Sequence, residues 1–181
     1  LNLALHKIGP ALACGCSVIL KPSPYTPLTA LALASLCKRV GLPAGVLNVV
    51  ICRNEEAELM LKDERIKMLS FTGSAEVGWS LKAKAGKKKV VLELGGNAAC
   101  LLDETCHWED AVQRLLLGAF SNSGQSCISV QRIYIHDSLY DRVKEKLVAE
   151  TKKLKVGNPL ETGVLVGPLI DKGALDAMQA A

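Results

Sequence analysis

Short apolar runs alternate with helix-period stretches through the first 94 residues, and this rhythm leaves few folds open. Leu1 to Cys14 reads as a helix and Ser17 to Leu20 as a short buried strand. Pro27 to Val40 reads as a helix that lines up Leu28, Leu31, Ala32, Ser35 and Leu36 on one face. Val46 to Ile51 is the next strand, Glu55 to Leu61 a short helix and Met68 to Thr72 a further strand. Ser74 to Ala85 is helical, with Val77 and Leu81 one turn apart, and Val90 to Leu92 is strand again. Strands separated by crossover helices pair in parallel, so the expected class is α/β, a mainly parallel sheet with helices on both faces.

Gly95-Gly96 breaks the rhythm, and a second unit is expected from there, giving domains 1–94 and 95–181. Ala98 to Leu102 and Gln131 to Ile135 are strand-like. Trp108 to Phe120 is a helix with Val112, Leu115, Leu116 and Ala119 inward. Ser138 suits an N-cap for a helix through Leu154, with Leu139, Val143 and Leu147 spaced by four. Val156-Gly-Asn-Pro159 turns the chain, and a long loop reaches Pro168 before a final helical stretch. A first residue Leu1 and a last residue Ala181 inside a helical pattern suggest that both ends are cut.

Composition narrows the function classes. Of 181 residues, 49% are hydrophobic and 22% charged, which is ordinary globular material. The net charge of +4 gathers at Lys82, Lys84, Lys87, Lys88 and Lys89, without the interleaved aromatics of a nucleic-acid surface. A solvated helix end is the expectation there. Seven cysteines, an odd number, and the lack of a secretory leader suggest reduced thiols in the cytosol. Cys14-Gly-Cys16 and Cys106-His107 lack the ligand gap of zinc sites, so small buried hydrophobes are preferred and no metal is expected. Lys7, Lys21 and Lys38 interrupt the most apolar stretch, so no membrane span is expected either. Trp79 and Trp108 read as packing residues.

The chemistry concentrates in a few places. Cys127 follows Asn122, Ser123 and Gly124 in a polar turn, where a thiolate would be accessible to a carbonyl carbon. Glu93 lies in the otherwise apolar Val90-Val-Leu-Glu-Leu94, where a carboxylate is costly unless it is paired, protonated or at work. Phe71-Thr-Gly-Ser74 stands where a strand meets a helix, a position that favours an anion such as a pyrophosphate. No G-x-G-x-x-G is present. Lys21 ends a strand at the carboxyl edge of the sheet, within reach of a ribose hydroxyl. His6, His107 and His136 are not beside Cys127 in sequence, and His136 reads as a surface or capping residue. On these residues alone, covalent acyl chemistry without a cofactor and an idle protein of the same fold both stay open.

Taken in order, Leu1-Asn-Leu-Ala-Leu-His-Lys-Ile-Gly-Pro-Ala-Leu-Ala13, Ile19-Leu-Lys-Pro-Ser23, Thr26-Pro-Leu28, Gly41-Leu-Pro-Ala-Gly-Val-Leu-Asn48, Phe71-Thr-Gly-Ser74, Leu92-Glu-Leu-Gly-Gly96, Gly124-Gln-Ser-Cys127, Val156-Gly-Asn-Pro159 and Val166-Gly-Pro168 resemble an internal segment of the aldehyde dehydrogenase superfamily. The resemblance implies a Rossmann-like cofactor domain through Leu94, then part of a catalytic domain. It also implies aldehyde oxidation to the acid with NAD or NADP as hydride acceptor. Cys127 matches the nucleophile and its N–H one oxyanion donor, while Glu93 matches the base that deacylates the thioester. Lys21 and Ser23 match the ribose end of the cofactor site. Phe71, Thr72, Gly73, Ser74 and Val77 match the turn near the pyrophosphate, and Glu93, Leu94 and Gly95 lie toward the nicotinamide. A carboxylate at position 93 separates this pattern from relatives that pass the acyl group to coenzyme A.

The chain departs from the family pattern in four ways. Pro24 replaces a ribose-binding Glu, which removes a repulsion against a 2′-phosphate, whereas Glu55 and Glu56 oppose one and Arg53 favours it. Ile51 to Leu61 has no glycine, and Asn97 directly follows the glycine pair. The family's oxyanion asparagine would fall before Leu1 and its Glu-x-Phe motif after Ala181. The 181-residue piece alone is thus expected to be poorly active, since one oxyanion donor carries about 3 kcal/mol. A small-molecule aldehyde substrate and a homodimer or homotetramer follow from the family.

Overall fold

The structure, a computed structural model, describes residues 1–180. It divides into two compact units, Leu1–Leu94 and Gly95–Ala181.

In the first unit, α1 (Asn2–Ala13) and α2 (Leu28–Arg39) end in the same way. Gly15 (φ 74°) and Gly41 (φ 84°) turn left-handed. The next N–H groups, of Cys16 and Leu42, then reach back to Ala11 and Cys37 carbonyls at 2.9 and 3.0 Å. These bonds satisfy carbonyls the helices cannot satisfy internally, and a residue with a Cβ would be strained at either glycine. The turns deliver the chain into β1 (Val18–Leu20) and, farther on, β2 (Leu47–Val49), which pair in parallel with Val18 opposite Leu47. After α3 (Asn54–Lys62) come β3 (Met68–Thr72), α4 (Ala75–Lys84) and β4 (Lys89–Glu93). β3 and β4 are parallel from Met68 opposite Lys89 to Thr72 opposite Glu93.

The second unit holds β5 (Ala98–Leu102), α5 (Trp108–Phe120), β6 (Val130–Ile135), α6 (Tyr140–Thr151), the short β7 (Lys155–Val156) and β8 (Val164–Val166), and α7 (Lys172–Ala180). β5 pairs with β6 and β7 with β8, again in parallel. Its core is Leu102, Val112, Leu115, Leu116, Leu139 and Val143. Val112 and Val143 are wholly removed from water, each contributing about 1.5–3 kcal/mol. Trp108 packs against this core, as expected for it.

Several sequence expectations need correction. In α2 the buried residue is Ala30, whereas Leu28 (76% exposed), Leu31 and Leu36 lie on the open side. Leucines and alanines fall on every side of the helix, so the leucine stripe did not identify the inward face. Trp79 is exposed, with Lys82 4.9 Å from its ring centroid. Cys14 and Cys16 are exposed on the turn that closes α1, not buried. Ser138 is not the N-cap of α6, which starts from Leu139 without a side-chain cap; the short turn ahead of it is capped by His136. Its Nδ1 accepts from the Ser138 N–H at 3.4 Å and opens a 3-10 turn, Asp137–Leu139. The expected long loop before Pro168 contains β8, and β7 lies at the start of the turn that precedes it; both runs are too short to register as strands.

Candidate active site

Within the first unit, the carboxyl ends of the strands carry the candidate cofactor residues. Lys21 directly follows β1, and its Nζ donates to Asn54 Oδ1 at 3.0 Å, at the start of α3. Ser23 shapes the next turn, its Oγ accepting from the Tyr25 N–H at 3.3 Å and its carbonyl from the Thr26 N–H at 3.1 Å. The charges weighed separately in sequence are tied together here. The Arg53 guanidinium and N–H both donate to the Glu56 carboxylate, at 3.0 and 2.8 Å.

The Phe71–Ser74 segment joins β3 to α4. Ser74 is the N-cap, its Oγ accepting from the Val77 N–H at 3.4 Å. The Gly73 N–H donates to the Glu93 carbonyl at 3.1 Å and so extends the β3–β4 ladder by one bond. Phe71 and Leu94 explain the two glycines nearby. A Cβ on Gly73 would stand 2.5 Å from the Phe71 ring, and one on Gly78 would stand 2.4 Å from Leu94 Cδ2. Glu93 ends β4 opposite Thr72, beside this turn. It is exposed, because strand faces alternate and Lys89, Val91 and Glu93 share the open one. The burial cost expected for an apolar strand therefore does not act on Glu93.

The entry to β3 is pinned from behind. Lys88 Nζ donates to the Asp63 and Ile66 carbonyls at 2.7 and 2.9 Å. Hydrogen bonds from the Arg65 side chain and main chain hold the Asp63 carboxyl well below the usual carboxylate range.

In the second unit, α5 runs into a 3-10 turn, Ser121–Gly124, in which Asn122 (φ 53°), Ser123 (φ 58°) and Gly124 (φ 70°) are all left-handed. Cys127 is exposed within the following turn, where the Ser129 N–H donates to the Ser126 carbonyl at 3.0 Å. The buried Ser129 hydroxyl accepts from the Ser126 N–H at 3.3 Å, fixing the turn from inside. Among the described residues, none accepts the Cys127 N–H. Gly96 lies against this turn: a Cβ there would be 1.8 Å from the Cys127 carbonyl oxygen. Arg132 holds the neighbouring main chain, its Nε and one terminal nitrogen donating to the Asn97 carbonyl at 3.2 and 3.0 Å.

Each unit thus gathers its own candidates. Lys21 and Ser23 share one strand end, and Phe71 to Ser74, Val77, Glu93 and Leu94 share the β3–β4 end. Gly96 and Cys127 meet in the second unit. Sequence reasoning missed Gly96, Ser123, Ser129 and Arg132. Only the glycine pair signalled one of them, as a close main-chain approach. An open hollow of about 460 Å³ lined by Val156–Pro159, Gly167 and Pro168 contains none of the candidates. No helix among the described residues is long and apolar enough to cross a membrane.

Parallel strands joined by helices make this an α/β protein, and the chain belongs to the aldehyde dehydrogenase family. The family profile matches residues 1–181. The chain is 45% identical to the NADP(+) succinate-semialdehyde dehydrogenase GabD of Escherichia coli, over 94% of its own length and 36% of that protein. It is likewise 45% identical to a glutarate-semialdehyde dehydrogenase of Pseudomonas putida, over 96% of its length and 37% of that protein. Among solved structures, aldehyde dehydrogenase 21 from Physcomitrella patens, in complex with the reaction product succinate, aligns with a TM-score of 0.93 at 46% identity. That alignment covers 99% of this chain and 38% of the other. The chain thus spans a little over a third of the relatives it matches.

Proposed function

We propose that the protein carrying this chain oxidises an aldehyde to its carboxylic acid with NAD or NADP, and that its aldehyde carries a second, anionic group. The chemistry rests on Cys127. Its exposed side chain can add to a carbonyl carbon, and its own N–H, unclaimed by any described acceptor, can bind the oxygen that becomes negative. Glu93, exposed at the end of β4, is the base that takes a proton from water for deacylation of the thioester.

The residues present fit a nicotinamide dinucleotide. Lys21 offers an ammonium to ribose hydroxyls, the Ser74-capped start of α4 offers helix N–H groups to a pyrophosphate, and Gly73 leaves that turn without a side chain. When bound, the dinucleotide would supply the hydride acceptor. Ser23, Phe71, Thr72, Val77, Leu94 and Gly95 complete the proposed cofactor surface. On this reading, residues 1–94 belong to the cofactor domain and 95–181 to the catalytic one.

The anionic substrate is supported by relatives named for succinate and glutarate semialdehydes and for 3-sulfolactaldehyde. A homodimer or homotetramer in the cytosol belongs to the same proposal, in keeping with seven free cysteines.

The test is nicotinamide reduction by the full-length protein over aldehydes with and without a distal carboxylate or sulfonate, with NAD and NADP separately. Cys127→Ala is expected to abolish turnover, and Glu93→Gln to let an acyl group accumulate on Cys127, visible by intact mass. Full activity in the Cys127 variant would overturn the assignment. Ester hydrolysis as the sole activity, without cofactor, would favour an acyltransferase.

A further inference from the structure

We infer that Ser123 is a positioning residue for Cys127, acting through a hydroxyl brace to the Val166-Gly-Pro168 segment. The inference rests on Cys127 being the nucleophile. Asn122 and Ser123 both occupy left-handed backbone, at φ 53° and 58°, which asparagine visits readily but serine adopts only at a cost. Gly124 follows at φ 70°, tolerated because it has no side chain. Three such residues in succession end α5 and reverse the chain toward Cys127, so the direction of the nucleophile's turn is set here. Gln125 is then bonded locally, its N–H donating to the Asn122 carbonyl at 3.1 Å.

The contact that enforces this conformation comes from elsewhere in the unit. Ser123 Oγ accepts from the Gly167 N–H at 2.8 Å and lies 3.4 Å from the Gly167 carbonyl, to which it can donate. One hydroxyl therefore engages both main-chain groups of a residue 44 positions away. Gly167 immediately follows β8, which pairs with β7, so the brace ends on hydrogen-bonded strand rather than free loop. The contact is half-buried, so water replaces a lost hydroxyl only in part. An alanine here keeps the unfavourable φ and loses the brace, whereas a glycine relieves the φ and also loses it. Together the two variants separate hydroxyl from strain.

The experiment uses the full-length protein with Ser123→Ala, Ser123→Gly and, separately, Cys127→Ala. Steady-state kinetics are combined with hydrogen–deuterium exchange on the peptides covering 121–129 and 164–170. Both Ser123 variants are expected to exchange faster at Gln125–Ser129, by about five-fold for a brace of ordinary hydrogen-bond strength. The same variants should lower kcat by a similar factor while leaving the KM for the dinucleotide unaltered. Wild-type kcat and exchange in Ser123→Ala, or recovery of both in Ser123→Gly, would overturn the brace. Faster exchange at Gly167 without any change at Gln125–Ser129 would overturn it as well, leaving only a local structural bond. Activity surviving in Cys127→Ala would instead remove the nucleophile assignment, a result read without the Ser123 variants.

Discussion

Replacing Gly96 by alanine would drive a methyl group into the main chain of Cys127. The added carbon would stand 1.8 Å from the Cys127 carbonyl oxygen, 3.0 Å from its carbon and 3.6 Å from its Cα. Contacts to a Cβ essentially never fall below 3.0 Å, so oxygen and methyl must separate by at least 3.0 − 1.8 = 1.2 Å. No flexible side chain lies between them to give way. Arg132 restrains one side of the contact through the Asn97 carbonyl, and the Ser126–Ser129 turn restrains the other. Part of the displacement therefore falls on the main chain of Cys127, the proposed nucleophile. Overpacking of this kind costs about 1–3 kcal/mol, and misplacing a reacting group by about 1 Å costs on the order of a hundred-fold in rate. In the full-length protein, Gly96→Ala should lower both kcat and the thermal midpoint. Gly157→Ala is the control, since its Cβ would meet only a Val164 methyl at 3.9 Å and should alter stability by no more than about 0.5 kcal/mol. A Gly96→Ala enzyme with kcat within about two-fold of wild type would refute the reasoning, because the rate must follow a displaced carbonyl if the contact is real.

Lys88→Met should destabilise the protein by about 1–3 kcal/mol in a denaturant titration, since the Asp63 and Ile66 carbonyls lose their shared donor in a half-buried place. Arg65→Gln should raise the Asp63 pKa toward its ordinary 3.8, read by NMR titration of the carboxyl. The sign follows from linkage. A folded pKa below the unfolded one contributes stability that is present above about pH 4 and lost as pH falls through the folded value, so the variant should lose less stability than wild type on acidification. Lys21→Met should raise the KM for the dinucleotide by about ten-fold with kcat less affected, because one charge-assisted hydrogen bond of about 1.5 kcal/mol is removed from binding; an unaltered KM would take Lys21 out of the cofactor surface.

Much of the fold was legible from period alone. Met68–Thr72, Ala98–Leu102 and Trp108–Phe120 have the bounds expected, and α4 begins one residue after the expected Ser74, which caps it. Legibility failed where period carries no direction. Leucines and alanines fall on every side of α2, and packing chose Ala30 over the leucines of the stripe. β7 and β8 are two and three residues long, below the length at which alternation can be seen. Arg53 and Glu56 entered as opposing charges at a cofactor end, yet in space they form one ion pair.

The linear order of residues was enough to determine the family and the parallel strand–helix rhythm, and it singled out Cys127 and Glu93 as the side chains proposed to carry the chemistry. Those properties are local, or repeat at a period the eye can follow along the chain. Tertiary structure alone decided that Gly96 must lack a side chain because Cys127 lies over it, that the buried Ser129 hydroxyl braces the turn carrying Cys127, and that Ser123 is tied to Gly167. Two of these contacts join residues 31 and 44 positions apart, from 127 − 96 and 167 − 123. Separations of that size are set by chain reversal and close packing, which no window of sequence contains.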